Sequence, residues 1–93
     1  MSSKDSIAKE KTWYMYVVEC ADGTLYTGVT TDITRRLNEH NYGSRGAKYT
    51  RSRRPVKLRL THEYKGRSPA LKAEYKFKKL TRKQKKEIIN GRD

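Results

Sequence analysis

Two short β-prone runs joined by a turn signal constrain this chain more than anything else in it. Residues 13–19 read Trp-Tyr-Met-Tyr-Val-Val-Glu, aromatic or β-branched almost throughout, which is strand composition. Ala21-Asp22-Gly23 is a turn signal, and residues 24–29 resume strand character. The pair predicts a β-hairpin. Register then decides which side chains meet, because a slip of one residue moves every side chain to the other face. A two-residue Asp22-Gly23 turn would pair Cys20 with Leu25 and put Tyr16 and Tyr26 on opposite faces. A three-residue loop with Gly23 in the left-handed region pairs Cys20 with Thr24, Val18 with Tyr26 and Tyr16 with Gly28. The second register is favoured because it gathers Met15, Val17, Leu25 and Val29 on one apolar face. Tyr16 and Tyr26 become diagonal neighbours on the other face, and Gly28 leaves space beside the Tyr16 ring.

The rest of the chain alternates helix and strand signals. Thr31 or Asp32 can cap a helix running to about Asn41, with Ile33 and Leu37 as its buried stripe. Arg36 and His40, each three residues further on, line one flank of that stripe, while Arg35 and Glu39 point to solvent. Residues 43–55 show no period and read as a loop. Residues 56–64 read as a third strand, with Val56, Leu58 and Leu60 facing inward and Lys57 and Arg59 outward; Pro55 suits its first position. Ser68 followed by Pro69 opens a second helix with Ala70, Ala73, Phe77 and Leu80 on one stripe. A Thr81-to-Gln84 capping box starts a short last helix that stops at Asn90-Gly91. Residues 1–11 are polar and aperiodic and read as a flexible leader to a single domain over residues 12–90. The expected fold class is α+β: a three-stranded sheet flanked by helices, in the order β-β-α-β-α-α.

Composition narrows the function. The chain is 93 residues with a formal net charge of +13, and that charge is unevenly spread. Residues 1–42 are net −1, residues 43–64 net +6 and residues 65–93 net +8. Such asymmetry predicts a polyanion partner, nucleic acid or a ribosome. A single cysteine, Cys20, excludes an internal disulfide and a cysteine zinc cluster. The absence of a long apolar run argues against a membrane span or a secretory signal, so a cytoplasmic setting is expected.

Three groups of side chains can carry chemistry. Glu74 sits among the apolar positions of its helix, where a carboxylate is costly unless it is paired or binds a metal. An ion pair with an arginine such as Arg36 and a metal ligand are equally consistent with that position. Arg36 and His40, one turn apart, suit a phosphate group: the guanidinium offers a forked contact and the imidazole can hold or relay a proton. Tyr16 and Tyr26 share a strand face, though strand tyrosines commonly serve a core.

Taken together these residues resemble the GIY-YIG nuclease domain. Tyr16 in Met15-Tyr16-Val17, Tyr26 in Tyr26-Thr27-Gly28 ten residues later, Arg36 ten residues beyond that, and Glu74 on a later helix fall where that domain has its two tyrosines, arginine and glutamate. His40 matches a position held by His or Tyr in many members. The whole chain, including Lys48-Tyr49-Thr50-Arg51 and Arg54-Pro55, is similar to the small stand-alone YhbQ-like bacterial group of this superfamily. Three departures stand out. The signature triplets read MYV and YTG. Val29 follows Gly28 where some members have a lysine. Asn90, in a terminal tail, is no match for the family's later asparagine.

The resemblance implies a metal-dependent endonuclease that hydrolyses phosphodiester bonds, with DNA favoured over RNA and low sequence specificity. Glu74 would hold Mg²⁺ or Mn²⁺. Arg36 would stabilise transition-state charge. Tyr16 would act as general base or orient water, with Tyr26 supporting and His40 sharing the proton work. Phosphate tracking is expected from Arg45, Lys48, Tyr49, Arg51, Arg53 and Arg54 in the basic loop and from Lys72, Lys76 and Lys79 on the later helix. The rival expectations are a non-catalytic module that binds DNA, RNA or ribosomes, and a nuclease subunit that needs a protein partner for activity or specificity.

Overall fold

The structure is a computed structural model and describes residues 11–91. Its elements run β1 (Thr12–Glu19), β2 (Leu25–Thr30), α1 (Ile33–Tyr42), α2 (Lys48–Arg51), β3 (Lys57–Lys65), α3 (Arg67–Lys78) and α4 (Arg82–Ile89). They form an α+β fold around an antiparallel sheet in the order β2-β1-β3. One element was not foreseen. The single turn α2 interrupts what reads as an irregular loop, because four residues are too few to show a helical period.

The hairpin adopts the three-residue loop. The Cys20 N–H donates to the Thr24 carbonyl at 2.8 Å, and Gly23 takes the left-handed conformation with φ of 86°. Val18 therefore pairs with Tyr26 and Tyr16 with Gly28. Strand alternation then builds two cores, one on each face of the sheet. Met15 and Val17 pack with Phe77, Ala73 and Leu80, so α3 covers that face. Tyr16, Val18 and Cys20 pack with Val56, Ile33 and Leu37, so α1 covers the other.

The third strand departs from simple alternation. Val17 pairs with Leu60 but Val18 pairs with Leu58, so β3 carries a bulge opposite that step. The extra residue of a bulge breaks the alternation of faces along its strand. Leu58 lies on the α1 face, against Ile33 and Leu37, while Leu60 joins the α3 core. Of the expected inward row, Val56 and Leu60 join different cores and Leu58 stays exposed at the rim of the α1 face.

Of the helix starts foreseen in the sequence, two follow the local chemistry and one departs from it. Asp32, not Thr31, caps α1 by accepting the Arg35 N–H at 3.0 Å. Thr81 and Gln84 form the reciprocal capping box of α4, with bonds of 3.1 and 2.9 Å. The exception is α3. It starts at Arg67 after Gly66, whose φ is 104°, so Ser68 is inside the first turn and caps nothing. Pro69 is still in that first turn, where a missing N–H costs no helix bond. The segment between α1 and β3 is tied down by Asn41, which donates to the Val56 carbonyl at 3.1 Å and accepts the Val56 N–H at 2.7 Å. Nearly all of the expected leader lies outside the described residues; its last residue, Lys11, accepts the Gly66 N–H at 3.2 Å and so joins the fold. Among the described residues no helix is long and apolar enough to cross a membrane.

Candidate active site

β1 and β2 bring Tyr16 and Tyr26 onto one face, and α1 lays Arg36 and His40 across them. The closest approach is at Gly28. A Cβ there would stand 2.6 Å from the Tyr16 hydroxyl oxygen and 2.8 Å from Cζ, so only glycine admits the ring at this pairing. Tyr16 is 3% exposed, and the seam beneath it between Ile33, Leu37 and Leu58 has no room for water.

His40 is the structural surprise of the site. The sequence places it on a helix flank, yet it is fully buried, between the Tyr16 hydroxyl and Thr50. Its Nε2 lies 2.8 Å from the Tyr16 oxygen and its Nδ1 2.8 Å from the Thr50 Oγ1. Thr50 fixes the direction of the chain. Its hydroxyl donates to the Ala47 carbonyl at 3.1 Å, so its oxygen accepts from His40 Nδ1–H. Nε2 is then the bare nitrogen, and Tyr16 donates its proton to it. Burial drives the imidazole to the neutral form, and Arg36 nearby adds to the effect, taking its pKa down to about 4. Tyr16 is pushed the other way. Burial raises its pKa to about 12 against the pull of Arg36, and the charges of Tyr26 and Glu74 add to the rise. At neutral pH the resting pair is therefore a neutral tyrosine hydrogen-bonded to a neutral imidazole, and no buried side-chain polar atom of the described residues lacks a partner.

Arg36 is held from behind. Its Nη1 donates to Glu39 Oε1 at 2.8 Å and to the Arg45 carbonyl at 2.9 Å. Glu39, read from the sequence as a solvent residue, is instead the carboxylate that holds this guanidinium. Gly46 makes the arrangement possible, since a Cβ there would meet the Glu39 carbonyl oxygen at 2.6 Å. Bonding through one nitrogen leaves donors on the others for an anion.

Glu74 lies on α3, half-buried against the sheet. Its charge is the smallest of the influences that oppose ionisation of Tyr16. Of the two readings of Glu74, the ion pair with an arginine such as Arg36 is not made among the described residues; Lys78 Nζ lies 3.1 Å from Glu74 Oε2. The described residues contain no cluster of three His, Cys, Asp or Glu side chains that could cage a metal. A lone carboxylate fits a hard cation only when phosphate oxygens and water complete the shell, which is the usual arrangement for magnesium at a phosphate site.

The loop cations divide into two kinds. Arg54 donates to the carbonyls of His40 at 2.5 Å, Glu39 at 3.2 Å and Gly43, closing the end of α1. Arg51 bonds the Ser44 and Gly46 carbonyls. Arg53 binds Asp22 at 3.1 Å and lies 3.9 Å over the Tyr49 ring, whose stacking partner is Tyr26. These three arginines and Tyr49, all read as phosphate contacts, hold the loop together. Arg45 and Lys48 are exposed beside the site. Lys72 and Lys76 on α3 and Lys79 at its C-cap are exposed. The roles of Thr50, Glu39 and Gly46 were missed in the sequence: Thr50 lies in the Lys48-to-Arg51 stretch that carries the family resemblance, but nothing in the letters pairs it with His40.

Two tyrosines on paired strands, an arginine on the first helix and a glutamate on a later one define a class. Residues 12–87 match the GIY-YIG catalytic domain, and the chain belongs to that family, a nuclease family. Within it the chain is similar to UPF0213 proteins. That of Desulfotalea psychrophila is 51% identical over 79 residues, covering 85% of this chain and 72% of the relative. That of Halobacterium salinarum is 53% identical over 76 residues, covering 82% and 97%. The solution NMR structure of an Enterococcus faecalis protein superposes with a TM-score of 0.60 at 54% identity, covering 86% of this chain and 84% of that one. A UPF0213 protein of Bacillus halodurans gives 0.55 at 40% identity, covering 85% and 83%.

Proposed function

We propose that this protein is a metal-dependent endonuclease that hydrolyses phosphodiester bonds, with DNA as the favoured substrate. The observation that carries the reading is the relay Tyr16–His40–Thr50–Ala47. A surface that only binds phosphate has no need of a buried imidazole aimed bare-nitrogen-first at a tyrosine hydroxyl. The arrangement suits a general base: the tyrosine oxygen can take a proton from water as its own proton passes to His40 Nε2. The water oxygen then bonds to phosphorus as the bond to the leaving oxygen breaks.

The remaining residues fit roles around that step. Arg36 faces the charge that builds on the phosphate oxygens, and its fixed position means little reorganisation as the charge develops. Its own positive charge depresses His40 in the free protein. A bound phosphate offsets that charge, which lifts the basicity of His40 when substrate is present. Tyr26, edge-on to the His40 ring with centroids 5.3 Å apart, supports the imidazole. Glu74 would hold Mg²⁺ or Mn²⁺, which when bound polarises the phosphate and eases departure of the leaving oxygen. Arg45 and Lys48 supply backbone contacts that carry no base information, which supports low sequence specificity.

The test is cleavage of labelled single-stranded, duplex and branched DNA and RNA with Mg²⁺ or Mn²⁺, comparing wild type with Glu74→Ala and Tyr16→Phe. Metal-dependent cutting that falls by about 10²-fold or more in each variant is expected. Binding by all three proteins with cutting by none would replace the enzyme by a binding module. Cutting that emerges only with added cell extract would make the chain a subunit of a larger nuclease.

A further inference from the structure

The cationic stripe on α3 cannot serve the strand that lies in the site. An α-helix turns about 100° per residue, so Lys72, Lys76 and Lys79 sit about 160°, 160° and 140° round the helix from Glu74. Burial agrees with that placement. Ala70 and Phe77 point into the sheet, while all three lysines are exposed. None of the three enters an ion pair among the described residues. Tyr75, 62% exposed, lies beside them with the Lys79 ammonium 4.4 Å from its ring centre. Three unpaired lysines with an aromatic alongside suit a nucleic-acid backbone with a base in reach.

The two contact surfaces are thus separated by the body of a helix, which is about 10–12 Å across with its side chains. Duplex DNA is stiff over about 150 bp, so a straight duplex seated at Glu74 cannot bend round α3 to reach the stripe. We propose that the outer face of α3 binds a second nucleic-acid segment, and that the preferred substrate presents two separate backbone arms, as at a branch. This deepens the nuclease reading and takes its phosphate site as the first contact.

The test measures affinity without cleavage, in EDTA, so absence of nuclease activity leaves it intact. The probes are a three-way DNA junction, a linear duplex and a single strand of equal total length. Wild type is expected to prefer the junction to the duplex by about 10-fold or more, three extra phosphate contacts being at stake. The K72Q/K76Q/K79Q variant, with unchanged helix content by circular dichroism, is expected to lose that preference to within about twofold. Lys76→Gln alone, which cannot unfold the helix, should lose part of it. Equal binding of junction and duplex by wild type would overturn the proposal, as would a preference that survives the triple change. A single strand that binds as tightly as the junction would show one flexible strand wrapping α3 instead. Binding to anionic phospholipid vesicles that vanishes in the triple variant, with junction binding intact, would reassign the stripe to a membrane surface.

Discussion

At Gly28 a single missing side chain shapes the site. Gly28→Ala would drive a methyl into the Tyr16 hydroxyl at 2.6 Å, and Tyr16 has little space to move because it is 3% exposed. Over-packing of this kind costs about 1–3 kcal/mol. Denaturant unfolding should show that loss together with a fall in cleavage, and an alanine variant as stable and active as wild type would mean the ring is not held where the pairing puts it. Thr50 is the second such residue. Thr50→Val keeps the shape but removes the acceptor for His40 Nδ1–H, leaving a buried donor unsatisfied at a cost of about 1–3 kcal/mol. It also removes the group that fixes the imidazole tautomer, so cleavage should fall while nucleic-acid affinity is kept. The titration of His40 extends this to pH. Its folded pKa of about 4 lies below the ordinary 6.5, so the unfolded chain binds the extra proton first. Stability should fall as pH drops from about 6.5 towards 4, and His40→Gln should flatten that stretch of the curve. Tyr16 works in the alkaline direction: its pKa of about 12 against 10 means stability is lost as pH rises past about 10.

Among the elements, α1 depends most on help from outside itself. It ends at Tyr42, where the Gly43 N–H takes the Glu39 carbonyl at 3.1 Å, and Arg54 from the far end of the loop donates to the carbonyls of His40, Glu39 and Gly43. A cation at a helix C-terminus is also favoured by the helix dipole. Arg54→Met keeps the packing stem and strips the donors, so unfolding free energy should fall by about 2–3 kcal/mol. Equal stability of the variant would return Arg54 to the class of free surface cations. This is also where sequence reading was least able to see. The count of arginines in residues 43–55 is legible, but whether a guanidinium meets a phosphate or a carbonyl depends on where the chain brings the end of α1. The bulge in β3 is similar. Leu58 and Leu60 look like one inward row, and only the pairing with Val18 and Val17 puts Leu60 in a core and leaves Leu58 exposed on the other face.

At the scale of the molecule, folding sorts the cations of the second half of the described chain by what they touch. Once Arg51, Arg53 and Arg54 are set aside, Arg45 and Lys48 stand beside the site, and Lys72, Lys76 and Lys79 stand behind it. Each phosphate neutralised on a duplex contributes about −0.9 to the slope of log affinity against log salt. R45Q/K48Q should therefore reduce that slope by about 2 for a linear duplex, measured by fluorescence anisotropy over a salt series. An affinity that stays flat across the series would remove the electrostatic basis for the nucleic-acid reading.

What the sequence determined by itself was local and periodic. The hairpin register followed from the turn at Gly23 and from the apolar row of Met15, Val17, Leu25 and Val29, and the α4 capping box from Thr81 and Gln84. The spacing of Tyr16, Tyr26, Arg36 and Glu74 identified the family, because that pattern is carried along the chain. Tertiary structure decided the rest. Burial of His40 and its bond to Thr50 join residues on different elements, so they depend on where the chain beyond α1 folds back. The hold of Glu39 on Arg36 lies within one helix, yet the carbonyl of Arg45 and the close approach of Gly46 complete it. Glu74 and Lys78 are also one turn apart, and helical spacing permits that pair; what the letters could not show is that Arg36 lies beyond Glu74's bonding partners. A side chain's charge and size can be read from its letter; its desolvation and its partners are properties of the space it ends in.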